Sequence, residues 1–458
     1  MSNITAAYNK IGTAESLYQT AGGLTADTVR EISARKAEPA WMTEFRLKSL
    51  ELFRTIPAPA WGYPLDGLDI DQIIAYVAPD AKNSHDWEDV PKDIRDTFEK
   101  LGIPEAERAG LAGVGAQYDS EVVYHNIKQE ALEKGVVYTD MDSALKSEFE
   151  PMIREHFMHL LPAAEHKFLA LHGAVWSGGS FVYVPDGVKL DIPLQSYFRF
   201  NAKGAGQFEH TLIILGKNAE LHFIEGCSAP KYNVANLHAG CVELYVGEGS
   251  RLRYSTIENW SRNMYNLNSK RATVAAGGRI EWVSGSFGSH TSFLYPMSIL
   301  RGRGAVSDYT GITFSGEGQE LDTGAQVLHL APETTSIINA KSLAKDGGKG
   351  TFRAAITVAK NAHGSKVSVN CDSLMLDGKS RSDAVPVIEI NCADCDAGYE
   401  AKIGRISENT VFYLMSRGLT EEDARAMVVN GFAEPISKEL PLEYAVEMNN
   451  LINLEMKK

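Results

Sequence analysis

The chain has 458 residues, 44% of them hydrophobic and 23% charged, with 45 basic against 59 acidic residues and a formal net charge of -14. That length exceeds what one hydrophobic core usually holds and implies about two or three domains, and the acidic balance argues against nucleic acid or an anionic membrane as the main partner. No run of about 18 apolar residues occurs, and the N-terminus has no apolar stretch behind a basic start, so the cytoplasm is the expected compartment and no membrane association is expected.

Residues 1 to about 110 are charged and Ala-rich. Helical signals run from Thr25 to Lys36 and from Trp41 to Phe53, after which Pro57, Pro59 and Pro64 break the pattern. Asn83 to Asp89 is polar without a period and reads as loop. From Asp140 to Leu161 the spacing of Leu145, Phe149, Ile153, Phe157 and Leu160 predicts one helix, followed by a second from Ala163 to Leu171.

From Gly173 to about Ile390 the period is that of β-strands. Gly216, Gly249, Gly278, Gly304, Gly350 and Gly364 each precede an alternating apolar stretch, at intervals too irregular for a strict sequence repeat. Such intervals suit stacked coils with corners of varying length, as in a β-helix, in which each coil buries its inward face against its neighbours. A β-sandwich or a jelly roll would give a similar strand density. After Glu400 the period is helical again: Thr420 precedes Glu421, Glu422 and Asp423 as a helix start, Gly431 fits its C-terminal stop, and Leu440 to Lys458 forms a last helix. These helices either cap the end of the solenoid or dock a partner protein. The chain therefore divides into a mostly helical N-terminal region at 1–165, a β core at 166–405 and a C-terminal helical region at 406–458.

Five cysteines, an odd number at uneven spacing, do not make a disulfide framework and are expected to be thiols. Cys227 ends an alternating strand in EGCSAP, where an accessible, outward-aimed thiol is expected. Trp260 and Lys270 lie near it in sequence, and a lysine beside a thiol favours thiolate. Cys371 shares strand parity with Val367 and Val369, which reads as a small buried hydrophobe. Cys241 lies opposite the Val242, Leu244 and Val246 face and reads as structural. Cys392 and Cys395 have the spacing of half a metal site or a redox pair, and equally of two incidental thiols on a loop. Arg199 and Asn201 alternate with Phe198 and Phe200, on a charged outer face or along a polar channel. Two function classes fit these residues. A β-helical carbohydrate-active enzyme would need paired carboxylates on adjacent coils. A thiol protein that handles sulfur or metal is favoured by the placement of Cys227.

Longer motifs narrow the choice. LGIPEAER, GVGAQYDSEVVYH, HGAVWSGGSFVYVPDGVKLDIPLQSYFRFN, EGCSAP, NLHAGCVEL, TIENW, NSKRA, VNCDSLML and SRGLTEEDARAMVVNGF together resemble the SufB/SufD family, the scaffold subunits of the Suf iron-sulfur cluster assembly system. The resemblance runs from about residue 100 to the end. It implies a right-handed β-helix flanked by helical regions, and a scaffold rather than an enzyme. It implies that Cys227 accepts sulfur as a persulfide and that Arg199, Asn201, Trp260 and Lys270 line a path through the β-helix. Glu258 stands where the family commonly has Gln, so a negative charge lies where an anionic sulfur species would pass. Cys371 matches the cluster-building cysteine. Glu400 matches a ligand in a Glu-His-Glu-Ala motif whose first two residues are here Gly398 and Tyr399, and Tyr399 is a poor substitute for imidazole as an iron ligand. With that histidine missing, Cys392 and Cys395 are the remaining candidate ligands to the transient, nascent iron-sulfur cluster. The implied partners are a SufC-type ATPase subunit on the C-terminal helices, SufD or a second SufB-type chain at the β-helix edge, and a cysteine desulfurase with its sulfur carrier. No phosphate-binding Gly-x-x-x-x-Gly-Lys-Ser/Thr loop is present, so ATP hydrolysis falls to the partner.

Overall fold

The computed structural model describes residues 16–100, 111–440 and 442–457. The LGIPEAER motif and the first 15 residues lie outside them. Two long parallel stacks of strands dominate the rest. In the first sheet, Leu194–Arg199, Glu220–Ser228, Arg251–Trp260, Arg279–Gly288, Val306–Ser315, Thr335–Ala344, Ser365–Met375 and Cys395–Arg405 lie side by side in chain order. In the second, Ser180–Val184, His210–Leu215, Cys241–Val246, Met264–Val274, the pair Thr291–Leu294 and Met297–Leu300, Glu320–His329, Lys349–Val358 and Arg381–Ile390 do the same. The chain crosses from one sheet to the other and back, so each coil gives one strand to each sheet. Uniformly parallel pairing of this kind is a β-helix and excludes the antiparallel sandwich and jelly roll.

A regular corner underlies the irregular glycines. Asn218, Gly249, Gly277, Gly304, Glu333 and Gly364 all adopt positive φ, between 53° and 69°, and each opens a strand of the first sheet. They recur at an interval of roughly 30 residues, the length of one structural repeat. Asn218 and Glu333 fill corners where glycine would be easier, which hides the repeat from a search for glycine. At two corners the left-handed residue is Gly277 rather than Gly278, and Gly347 rather than Gly350.

The interior is apolar at one edge of each coil. Phe223, Tyr254, Trp282, Tyr309, Ile338 and Val369 of the first sheet pack against Leu244, Ala272, Val327 and Ile356 of the second. Phe223 stacks on Tyr254 with ring centroids 5.6 Å apart. Each of the larger side chains contributes about 1.5–3 kcal/mol by leaving water, summed coil upon coil.

The N-terminal region is less helical than its composition implies. Helices Ala26–Arg35 and Ala40–Thr55 form as expected, the first capped by Thr25. Strands Gly113–Tyr118 and Glu121–Ile127, however, extend the first sheet, and Val137–Asp140 extends the second. The single helix expected from Asp140 to Leu161 is two short ones, Met141–Ala144 and Glu150–His156. Pro151 begins the second, and Met158 turns the chain at φ 52°. Leu145, Ile153, Phe157 and Leu160 are nonetheless all buried: their spacing signalled burial rather than an unbroken helix. The next helix starts at a His166 cap and spans Lys167–Val175.

Three C-terminal helices follow the last strand: Glu408–Ser416, Glu421–Ser437 and Leu442–Lys457. Thr420 caps the second, which passes through Gly431 and ends at Ser437, so Gly431 is not its stop. Val429, Ala433, Ile436, Met448 and Ile452 pack against Ile257, Val283, Ile312 and Leu343 on the outer face of the first sheet. The helices therefore cover a flank of the solenoid, not its end. The last coil stays open, with Val387 56% and Ile403 45% exposed.

Candidate functional site

Strand alternation decides which of the candidate residues share a surface. In Glu220–Ser228, Phe223, Glu225 and Cys227 point into the lumen, and Ile224 and Gly226 point out. A side chain at Gly226 would meet the ring of Tyr197 at 2.6 Å, and the Tyr197 hydroxyl donates to Ser228 Oγ at 3.0 Å. The glycine beside Cys227 thus lets an aromatic ring close the outer face of the coil.

Cys227 is consequently 2% exposed, and the accessible thiol expected at a strand exit is not there. Its Sγ lies 4.0 Å from Glu225 Oε1. Burial, followed by Glu225, Glu258 and Glu209, pushes this thiol well above the usual range, and Lys270 opposes them without prevailing. The lysine does not produce a thiolate, because it is already engaged. Lys270 Nζ, 3% exposed, is 2.9 Å from Glu225 Oε1, 3.6 Å from Glu258 Oε1 and 3.1 Å from Thr256 Oγ1. Burial works to lower the lysine's pKa, and the two carboxylates outweigh it and hold the ammonium charged.

Glu258 is completely buried and is the register partner of Cys227 in the next coil. It accepts from Asn266 Nδ2 at 2.7 Å and Asn268 Nδ2 at 3.5 Å. Asn266 Oδ1 lies 2.8 Å from His238 Nδ1, and His238 Nε2 lies 2.5 Å from Glu209 Oε1. Burial opposes the charged imidazole, and Glu209 and Glu258 outweigh it, raising its pKa. Trp260 packs on the His238 ring with centroids 4.4 Å apart. Its buried Nε1 makes no hydrogen bond among the described residues. Tyr254 donates its hydroxyl to Glu225. One polar network therefore runs from Glu209 through His238, Asn266, Glu258 and Lys270 to Glu225, beside Cys227.

The structure thus brings Cys227, Glu258, Trp260 and Lys270 together. Arg199 is fully buried but alternates to the outer face, where its Nη1 donates to Ser228 Oγ at 3.1 Å. Asn201 lies past the strand end and donates its backbone N–H to Asp119 Oδ1 at 2.6 Å. Glu209, Glu225 and His238 are part of the network and are absent from the sequence-based set. The alternation of ELHFIEGC places Glu225 on the same face as Cys227, a signal that was available. Glu225 and Glu258 are also the paired carboxylates on adjacent coils that a glycosidase requires, but at 1% and 0% exposure, with Lys270 between them, they offer no sugar a cleft.

Two lumenal rows lead away from Cys227 along the first sheet. Cys227, Glu258, Ser286, Thr313, Ser342 and Ser373 are successive register partners, and all are buried. Beside them run Glu225, Thr256, Ser284, Gly311, Ala340 and Cys371. Five strand spacings separate the coils of the two cysteines, about 24 Å. The path is lined by small hydroxyl side chains where apolar ones would be ordinary.

At its far end, Cys371 is 2% exposed and faces inward, as its parity predicts. Burial pushes its thiol up to about 11, with the Tyr399 hydroxyl acting in the opposite direction. Tyr399 pairs with Val369 and turns toward the same interior. Glu400 pairs with Asn370 and alternates to the outer face, exposed, 2.9 Å from Lys402. Within this chain Cys371 and Glu400 do not converge. Cys395 pairs with Ser365, six residues from Cys371 along the strand, or about 20 Å at the rise of a β-strand. Cys392 and Cys395 are therefore too distant to replace a ligand beside Cys371. Cys392 Sγ instead lies 3.4 Å from His363 Nδ1. No helix among the described residues is long and apolar enough to cross a membrane.

Family models agree with this architecture. Residues 198–432 match the SufBD core domain of the SUF system for FeS cluster assembly, and residues 75–196 match the SufBD protein N-terminal region. The chain is 49% identical over 441 residues to the iron-sulfur cluster assembly protein SufB of Bacillus subtilis, covering 96% of this chain and 95% of that protein. It is equally similar, over the same shares, to iron-sulfur cluster assembly SufBD family proteins of Staphylococcus epidermidis and Staphylococcus aureus. With a polar, cysteine-bearing lumen inside a β-helix and this degree of identity along almost its whole length, the chain belongs to the SufB/SufD family of the Suf iron-sulfur cluster assembly system.

Proposed function

We propose that the chain is a scaffold that takes up sulfur as a persulfide on Cys227 and passes it along the lumen to a nascent cluster at Cys371, near the open last coil. The observation that carries this reading is the pair of adjacent lumenal rows, one from Cys227 to Ser373 with a polar side chain at every step after the cysteine, the other from Glu225 through Gly311 and Ala340 to Cys371. In the loading step the Cys227 thiolate attacks the terminal sulfur of a donor persulfide. One S–S bond forms, one breaks, and the donor leaves as a thiolate. The proton of Cys227 has a carboxylate in reach, Glu225 Oε1 at 4.0 Å. Lys270 compensates negative charge there, in keeping with the passage of an anionic sulfur species past Glu258. Arriving sulfur is reduced to sulfide by two electrons from an external reductant, and the cluster is cargo.

The last coil, with Val387, Ile390 and Ile403 exposed and two strand edges unpaired among the described residues, fits a surface that continues its sheets into SufD or a second copy. Such a partner would supply ligands that this chain does not bring to Cys371, with Glu400 at the rim. Phe412, Tyr413, Met415 and Met427 are large apolar side chains left exposed on the C-terminal helices, which fits docking of a SufC-type ATPase subunit there. A cysteine desulfurase with its sulfur carrier is the fitting donor, and the cytoplasm the fitting compartment. The test is Cys227→Ser, exposed to donor and analysed by intact and peptide mass spectrometry. The variant should keep its circular dichroism and lose persulfide. An unchanged persulfide load carried on another cysteine would refute the assignment.

A further inference from the structure

Outside the lumen, between the second sheet and the N-terminal helices, lies a second buried constellation. His172 comes from the helix Lys167–Val175, and His210 and Cys241 are the first residues of adjacent strands and register partners. All three are at most 1% exposed, and one ligand atom of each lies within 4.8 Å of the others. Among the described residues no other group of three His, Cys, Asp or Glu side chains meets that distance.

Their outer partners determine which nitrogens face inward. His172 Nδ1 is 2.9 Å from the Ala239 carbonyl oxygen, which can only accept, so Nδ1 carries the proton and Nε2 presents a lone pair. His210 Nε2 is 3.2 Å from Glu243 Oε2, an ion-pair contact out of line for a hydrogen bond, and makes no hydrogen bond among the described residues. That carboxylate is itself held by the N–H groups of Met158, Leu160 and Leu161 at 2.5, 2.6 and 3.0 Å. A lone pair on His210 Nε2 would face that anionic oxygen, so the proton belongs on Nε2 and Nδ1 keeps its lone pair. Nε2 of His172 and Nδ1 of His210 then oppose each other at 3.0 Å in a dry site. Opposed lone pairs there require a positive charge between them, a shared proton or a cation. Rings whose far nitrogens face a backbone carbonyl and an anchored carboxylate are oriented as metal-binding histidines are. The Cys241 thiol beside them adds a soft donor, which a proton-sharing pair does not need.

We propose that His172 Nε2, His210 Nδ1 and Cys241 Sγ bind one divalent cation of borderline softness, zinc or ferrous iron, which fastens the N-terminal helices to the β-helix. Binding releases one proton from the Cys241 thiol and forms a metal–thiolate bond, with no change of oxidation state. Burial raises this thiol's pKa, and the cation would be what keeps it deprotonated. The enclosure of the site makes the ion structural, acquired on folding, and separate from cluster cargo.

The test uses the full-length chain in a Cys371→Ala background, purified with chelator so that cluster iron is absent, then denatured for metal analysis. About one zinc or iron per chain is expected, the metal found deciding between the two, with a loss of about tenfold or more in Cys241→Ser and in His172→Gln. Refolding the parent with cobalt(II) should give a thiolate-to-cobalt charge-transfer band that Cys241→Ser lacks. Metal-free parent protein without that band would overturn the proposal in favour of a shared proton, and so would a Cys241→Ser variant with undiminished metal. Should the variants fail to fold, the parent's metal content and cobalt spectrum decide the matter.

Discussion

Replacing Lys270 by methionine keeps most of the side chain's volume and deletes its charge, and the consequence can be worked from the distances. At 2.9 Å from Glu225 and 3.6 Å from Glu258, each contact is worth about 5 kcal/mol at an effective dielectric of about 20. Desolvation of three charges offsets much of that, and breaking a buried ion pair on one side destabilises by about 3–5 kcal/mol. The effect should depend on pH. Without the ammonium, two neighbouring carboxylates are left buried with no counter-charge, a repulsion that acid relieves and neutral pH does not. Lys270→Met should therefore approach wild type near pH ~4.5 and fall furthest below it near pH ~8. Adding Glu225→Gln removes one stranded charge and should recover part of the loss. Urea denaturation followed by circular dichroism at both pH values measures this. A pH-independent difference, or a double variant less stable than the single, would refute the reasoning.

Phe412→Asp with Met427→Asp, at positions 73% and 52% exposed, should weaken ATPase-subunit binding in calorimetry by about tenfold or more while moving the melting temperature little; unchanged affinity would leave these helices a purely structural flank. Val428 is partly buried against the C-terminal core and is best left intact. In anaerobic reconstitution, Cys371→Ala should abolish the bound iron and sulfide, whereas Cys392→Ala with Cys395→Ala should leave both near wild type, since about 20 Å separates those thiols from Cys371. Loss of iron in the double variant would show that the last coil folds back on itself in the assembly.

The period-2 pattern from Gly173 onward showed a strand-rich core but left a β-sandwich or jelly roll open beside the β-helix, because alternation reports which face of a strand is buried and not how the strands pair. The coil repeat was not legible, since Asn218 and Glu333 occupy left-handed corners that glycine fills elsewhere. Strand parity correctly turned Cys371 inward and Cys241 away from the Val242 face. The environment of Cys227 could not be read from its own strand. Burial raises its pKa first, then Glu225 on its own strand, and then Glu258 of the next coil and Glu209, while Lys270 across the lumen opposes them; apart from Glu225 these residues are brought close only by stacking. For the same reason Glu400 and Cys395 are near Cys371 by motif and by count, whereas register puts one on the opposite face and the other far along the strand.

The central claim, sulfur transit through the lumen, is tested most directly midway along it. Thr313 lies in the row between Cys227 and Cys371 and faces Thr323 across the interior, with hydroxyl oxygens 3.4 Å apart. Thr313→Leu fills that gap with apolar atoms at a strain of about 1–3 kcal/mol. The measurement supplies labelled sulfur donor to the assembled complex and follows label on Cys227 and in the reconstituted cluster. The account predicts wild-type persulfide on Cys227 and little labelled sulfide in the cluster. Wild-type label in the cluster at equal Cys227 loading would contradict it.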